Sequence, residues 1–243
     1  MSFSTLPSNV STSQISMTAS FAADIHGPVE YYLDYTGSPS FDSGGMDSGW
    51  QTSRAWLNDS LETNGEYCYR AWARDNSQSP NLTMPSGNVC TYTSQAVPGG
   101  ISAGTVTTTS ISVSSVSLPD NLTLDASGLK ITNQTNAMDS GWKQNNNAWV
   151  SAGLTPANAY TFVATARNGD GDITADSSPS TVHTLAKFPA VNSLAAVSRS
   201  VIHVELNANG NSGQATNLGG MTSITNGAEF SVQTGTGGLS CTP

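Results

Sequence analysis

The sequence predicts an all-β chain built of tandem β-sandwiches, and three observations lead there. The pentapeptide MDSGW stands at residues 46–50 and again at 138–142, 92 positions further on. Apolar residues alternate with polar ones in short runs, separated by clusters of Gly, Pro, Asn and Asp, which is the pattern of half-buried strands joined by turns. The composition is rich in Ser, Thr, Val and Asn and has only 10 % charged residues, against a usual share of about 25 %. Scarcity of Glu, Lys and Arg disfavours helices, and abundant β-branched residues favour strands.

The flanks of the repeated pentapeptide keep its phase. Reading forward, Ala55-Trp56 aligns with Ala148-Trp149, Leu61 with Leu154, Tyr67 with Tyr160 and Ala73-Arg74 with Ala166-Arg167, all at an offset of 93. Reading backward, Leu33-Asp34 aligns with Leu124-Asp125, Gly37 with Gly128 and Pro7 with Pro98, at an offset of 91. A period just above 90 is too long for a solenoid unit and suits a whole small β-domain. Pro189 lies a further 91 residues beyond Pro98, so a third copy opens near Phe188 with about 55 residues left to it. The expected domains are therefore 1–95 and 96–187, both complete, and an incomplete third at 188–243.

Within the first copy, alternation marks strands at Ile15/Met17/Ala19/Phe21, Tyr31/Leu33/Tyr35 and Tyr67/Tyr69/Ala71/Ala73. The corresponding sets in the second are Ile111/Val113, Leu122/Leu124 and Tyr160/Phe162/Ala164/Ala166. In the third, SVIHVELNANGN reads as an opening hairpin, and EFSV (229–232) matches EYYL (30–33), which places the chain end shortly after the third strand. Asp-Ser-Gly of the pentapeptide is expected to turn the chain so that Trp50 and Trp142 return into a sheet. Those indoles then either fill core volume or stand exposed as stacking surfaces for sugars. Trp56 and Trp149, at equivalent positions, are expected in the core.

LTPANAYTFVATARNGDGD (154–172) resembles the stretch that closes a fibronectin type III domain, where Leu-x-Pro-x-x-x-Tyr leads into the penultimate strand and an Ala-x-Asn-x-x-Gly turn follows. LETNGEYCYRAWARDNSQS (61–79) keeps the Leu-to-Tyr spacing without the Pro. The Trp that animal members carry on the second strand is absent, as in bacterial and archaeal relatives of extracellular type. The resemblance implies fibronectin type III-like (immunoglobulin-like) sandwiches along nearly the whole chain, and a tyrosine corner at Tyr67 and Tyr160 whose hydroxyl ties back to the backbone upstream. It also puts Cys68 and Cys90, aligned with Thr161 and His183, on the last two strands of the first copy. A cross-strand disulfide follows, with two free thiols as the alternative. Cys241 is left odd, which in an oxidising compartment points to a partner outside this chain.

Eight Lys and Arg against seventeen Asp and Glu give a formal charge of −9, so no basic face exists for nucleic acid. No apolar run reaches the roughly 18–20 residues needed to span a bilayer, and Met1-Ser2-Phe3-Ser4 lacks the basic start of a secretion signal, so a soluble chain without membrane insertion is expected. Asn-x-Ser/Thr triplets occur at Asn9, Asn58, Asn81, Asn121 and Asn133. His26, His183 and His203 fall at non-equivalent positions, and no nucleophile elbow, zinc-protease motif, phosphate loop or Cys-x-x-Cys is present, so neither catalysis nor a cofactor is expected. Asn168, Asp170 and Asp172 stand at the 1, 3, 5 spacing of a calcium loop, but Ile173 occupies its Gly position and Pro179 its Glu position. A polar turn is the plainer reading.

Tandem sandwiches without a site act as spacers, stalks or protomers of assemblies. The expected role is a structural or adhesive segment of a secreted or surface-displayed repeat protein, with its own copies or further repeats as partners, in a filament or layer. Two alternatives stand beside it. One is an accessory spacer or sugar-binding module of a polysaccharide-degrading enzyme, with polysaccharide as partner, and the other is a virion structural protein. For the incomplete copy, Val201, Val204, Leu206, Phe230 and Val232 are expected to need cover from strands of a neighbouring chain or of a later part of the same polypeptide, which would also give Cys241 a partner.

Overall fold

A computed structural model describes residues 1–25, 27–40, 44–188, 190–198, 201–207, 209, 223–224, 228–229, 231–235 and 238–242. The first sandwich uses β1 (Phe3–Ser11), β2 (Gln14–Ala19), β3 (Glu30–Gly37), β4 (Ala55–Asn58), β5 (Glu66–Arg74) and β6 (Val89–Tyr92). Its sheets are β1-β2-β4 and β3-β5-β6, all antiparallel. The second uses β7 (Ile101–Val106), β8 (Ser110–Ser115), β9 (Gly128–Asn133), β10 (Met138–Asp139), β11 (Trp149–Ala152), β12 (Ala159–Arg167) and β13 (Ser180–His183). Its sheets are β11-β8-β7 and β10-β9-β12-β13. The first half thus puts its strands one, two and four in one layer and the second half its strands one, two and five, the extra strand being β10, with the others in the second layer. That is the strand order of a fibronectin type III-like sandwich.

Period-two alternation places one face of each strand inside. Ile15, Met17 and Ala19 of β2 meet Tyr31, Leu33, Tyr67, Tyr69, Ala71 and Ala73 in the first core. Ile111 and Val113 meet Leu129, Ile131, Tyr160, Phe162 and Ala164 in the second. Trp56 and Trp149 are half-buried at the margins, edge-on to Tyr69 and Phe162 at 6.0 and 6.4 Å. In each copy the tyrosine corner is made: the N–H of Glu62 donates to Tyr67 Oη and that of Thr155 to Tyr160 Oη, both at 2.8 Å. β2 ends at Ala19, so Phe21 leaves the expected alternation and stands 74 % exposed.

One expected strand is corrected. Leu122 and Leu124 lie in a turn, where Asn121 and Asp125 take φ of 52° and 36°, a left-handed geometry that Asn and Asp tolerate better than most residues. The third strand of the second copy is β9, whose Leu129 and Ile131 pair with Ala166 and Ala164 as Tyr31 and Leu33 pair with Ala73 and Ala71. The offset for this strand is therefore 98 (Tyr31 to Leu129), because the loop entering it is longer in the second copy and the loop leaving it shorter. Leu122 still reaches the core, so its apolarity is real although its secondary structure is not a strand.

Beyond residue 188 the described backbone forms three two-stranded antiparallel ladders. β14 (Ala190–Ser198) pairs with β15 (Val201–Asn207), β16 (Ser223–Ile224) with β17 (Ala228–Glu229), and β18 (Ser231–Gly235) with β19 (Gly238–Thr242). The chain therefore does not stop after a strand at 229–232, and β19 returns on β18 with Cys241 opposite Val232. Phe230 and the side chains of Val201, Val204, Leu206, Val232 and Cys241 lie outside the described residues.

Candidate functional site

The repeated pentapeptide builds the same device twice. The N–H of Ser48 donates to the Leu33 carbonyl (3.0 Å) while Ser48 Oγ accepts the Leu33 N–H (2.8 Å). Ser140 repeats both bonds with Ile131, at 2.9 and 3.0 Å. The next paired residues are Gln51 with Tyr31, and Lys143 with Leu129. Two residues, Gly49-Trp50 or Gly141-Trp142, thus oppose one, and each Gly has positive φ (66° and 65°). This is a glycine bulge at a sheet edge. It turns the indole onto the outer face, beneath a guanidinium from the neighbouring layer strand: Arg74 lies 4.3 Å from the Trp50 ring and Arg167 4.6 Å from Trp142. Trp50 and Trp142 are half-buried cation–π partners rather than core residues.

On the first sandwich alone this outer face is extended. Tyr32 pairs across the ladder with Trp72, and Asp34 with Arg70. Asp34 Oδ2 accepts from Arg70 Nε at 2.5 Å and from Trp72 Nε1 at 3.1 Å, and Arg74 binds Glu30 at 2.7 Å. The Tyr32 hydroxyl donates to Asp47 at 2.6 Å. Hydrogen bonding to that carboxylate, helped by burial, pushes the phenol up to about 12. Tyr32, Asp34, Trp50, Trp72 and Leu82 line a shallow depression there.

The second cluster joins the two sandwiches, and Asn64 is its centre. With φ of 52° and no exposed surface, its amide donates to the Asn121 carbonyl (2.8 Å) and Ser127 Oγ (2.9 Å) and accepts from the Gly169 N–H (2.9 Å). Around it, Asn121 donates to the Thr63 carbonyl at 2.7 Å and Gln95 to that of Asp120 at 2.7 Å. The Tyr92 hydroxyl donates to Asp125, and burial with that carboxylate raises its pKa. Gly169 lies against the Tyr92 ring so closely that a Cβ would stand 2.4 Å from it. Gly169→Ala is therefore expected to separate the sandwiches while leaving each folded, which a change in small-angle scattering with two intact urea transitions would show.

This junction absorbs the calcium-like turn. Asp170 accepts from Thr91 Oγ1 and the Tyr92 N–H, both at 2.8 Å, Asp172 accepts from Asn9 Nδ2 at 2.6 Å, and buried Asn168 donates to the Thr93 carbonyl at 3.2 Å. The three side chains reach separate partners on the first sandwich, while Asn168 Nδ2 lies 3.5 Å from Asp172 Oδ2, so the segment forms a polar turn between the domains. Among the described residues the cluster with metal-ligand spacing is Glu66, Cys68 and Cys90, and its two sulfurs are joined to each other in a disulfide. Cys68 and Cys90 stand directly opposite on β5 and β6. In the second copy the residue opposite Thr161 is Thr181, not His183, and their hydroxyls hydrogen-bond at 3.0 Å.

Of the histidines, His183 is exposed on β13, His26 lies outside the described residues, and the His203 side chain does also. The sequon asparagines are engaged: Asn58 and Asn133 are buried, bonded to Tyr69 Oη (2.8 Å) and Ser151 Oγ (3.1 Å), and Asn81 donates to Asp75 at 2.7 Å.

No family model and no curated protein matches the chain. Among solved structures it is similar to a two fibronectin type-III domain segment from chicken tenascin, with 18 % identity and a TM-score of 0.43 over 72 % of this chain and 94 % of that one. It is also similar to the chicken CNTN1 FN1-FN3 domains, with 14 % identity and a TM-score of 0.31 over 74 % of this chain and 66 % of that one. By its own strand order, ladder register and paired tyrosine corners, the chain carries two consecutive fibronectin type III-like sandwiches.

Proposed function

We propose that the chain is a non-catalytic structural segment of a secreted or surface-displayed repeat protein, in which the first two sandwiches act as one stiff rod. The observation that carries this reading is Asn64. A fully buried amide on the first sandwich whose three partners all lie on the second ties them at one fixed angle, whereas ordinary domain contacts within a chain leave room for relative motion. The disulfide supports an oxidising compartment, and a protomer of an extracellular filament or layer is the setting that uses a stiff rod. Ala157 occupies the position equivalent to Asn64 in the second copy, also at positive φ (52°), and carries no side-chain amide. The same latch is therefore not available for whatever follows the second sandwich.

Asn64→Gly tests this, since Gly keeps the left-handed backbone at no steric cost. Removing the amide leaves the Gly169 N–H, the Asn121 carbonyl and the Ser127 hydroxyl without it, at about 1–3 kcal/mol for each buried group left unsatisfied. In a chain ending at residue 187, ¹⁵N relaxation is expected to give one tumbling time for both sandwiches and two in the variant. Independent tumbling of the unsubstituted sandwiches would defeat the proposal.

A further inference from the structure

The second sandwich acts as an internal control for the first. Both copies keep the glycine bulge, the outward indole and the arginine over it. These belong to the scaffold. Where the first copy has Tyr32 opposite Trp72 and Asp34 opposite Arg70, the second has Lys130 opposite Thr165 and Thr132 opposite Val163. A sandwich of this kind therefore folds without the added aromatic pair and the Asp–Arg fork. Large apolar groups on a solvent-facing sheet that the fold does not require mark a contact surface.

The surface itself narrows the ligand. Tyr32, Asp34, Trp50, Trp72 and Leu82 line an open depression of about 270 Å³, with Leu82 59 % exposed at its rim. Tyr32 and Trp50 stand 5.2 Å apart and tilted by 44°. The Tyr32 hydroxyl and the Trp72 indole N–H already donate to Asp47 and Asp34, so neither is offered to a ligand carbonyl. Arg74 and Arg70 lie over the Trp50 and Trp72 rings at 4.3 and 5.2 Å, but neither lines the depression. It offers the aromatic surfaces of Tyr32, Trp50 and Trp72 together with the Asp34 carboxylate and, at its margin, guanidinium groups able to donate. Glu30, Asp34 and Asp47 stand against Arg70 and Arg74, on a chain of net charge −9, which disfavours a polyanion.

We propose that this face of the first sandwich binds a neutral glycan chain, its sugar rings lying on Trp72, Tyr32 and Trp50 and its hydroxyls donating to Asp34 and Asp47. Axial C–H groups of a pyranose meet an aromatic face, and adjacent hydroxyls meet an acceptor and a donor side by side. A proline-rich segment would also stack on aromatic rings, but such grooves additionally donate to peptide carbonyls, and here the Tyr32 and Trp72 donors are already engaged. The site is independent of the rod reading, because interdomain tumbling and glycan titration succeed or fail separately.

The test is titration of the chain with cellohexaose, mannohexaose, chitohexaose and a decaproline peptide, followed by calorimetry and by the indole N–H resonances. At least one hexasaccharide is expected to bind with a millimolar or tighter Kd and to shift the Trp72 and Trp50 signals, leaving Trp149 unmoved. The double variant Tyr32→Lys/Trp72→Thr, which installs the residues of the second copy, is expected to weaken that binding at least tenfold without changing the melting curve of the second sandwich. Trp142→Ala is expected to leave it unchanged. No binding by any of the three sugars, binding undiminished in the double variant, shifts confined to other indoles, or binding of decaproline alone would each overturn the proposal.

Discussion

Phe162→Ala is expected to destabilise the second sandwich by about 3–5 kcal/mol, the range for removing a large side chain from a close-packed core. Phe162 has no exposed surface, sits in the middle of β12, and meets Trp149 edge-on at 6.4 Å. Its loss opens a void bordered by a half-buried indole at the sandwich margin, where the surrounding strands are held in register on both sides of β12 and cannot close it. Equilibrium urea unfolding followed by tryptophan fluorescence should show the second-domain transition move to lower denaturant, with the first in place. Trp142→Ala, on the outer face of the same sandwich, should cost far less, about 1 kcal/mol, because it removes mainly a cation–π contact. Equal losses for the two substitutions would mean that the core has been misplaced.

Cys68→Thr/Cys90→Thr is expected to keep the fold of the first sandwich and cost it about 3 kcal/mol. The bridge closes a separation of 22 residues, and a loop of that length removes roughly 3 kcal/mol of chain entropy from the unfolded state in the chain-entropy picture. Threonine is the informative replacement, since Thr161 and Thr181 occupy the same cross-strand positions in the second copy and bond through their hydroxyls. Thermal melting should show the first transition lowered in the variant and equally lowered in the parent by reductant, with the second indifferent to both. A reductant-sensitive second transition would contradict this assignment.

What the sequence determined by itself was the architecture and most of the core. Side chains in a strand alternate with a period of two, so Ile15/Met17/Ala19 or Tyr160/Phe162/Ala164 declare their inward face locally, and a chain that repeats shows its phase through any rigid landmark. MDSGW is such a landmark because a bulge needs Gly in the left-handed region and a Ser that supplies both halves of a backbone pair. The misplaced strand at Leu122/Leu124 shows the limit of that reading. Two apolar residues spaced by two fit a strand or a turn that dips into the core, and the length of the loops on either side was free to differ between copies. The bulge also breaks the alternation that would have told which way Trp50 and Trp142 point.

Tertiary structure alone decided the two surfaces on which the proposals rest. The partners of Asn64 are 57, 63 and 105 positions away, and the polar turn at 168–172 sends its carboxylates to residues of the neighbouring domain. Tyr32 and Trp72 became one surface only when β3 and β5 aligned. Local pattern settles which residues face inward, because burial of one face is a property of each strand. Which polar and aromatic groups meet depends on contacts between distant segments, and those exist only once the chain has closed on itself.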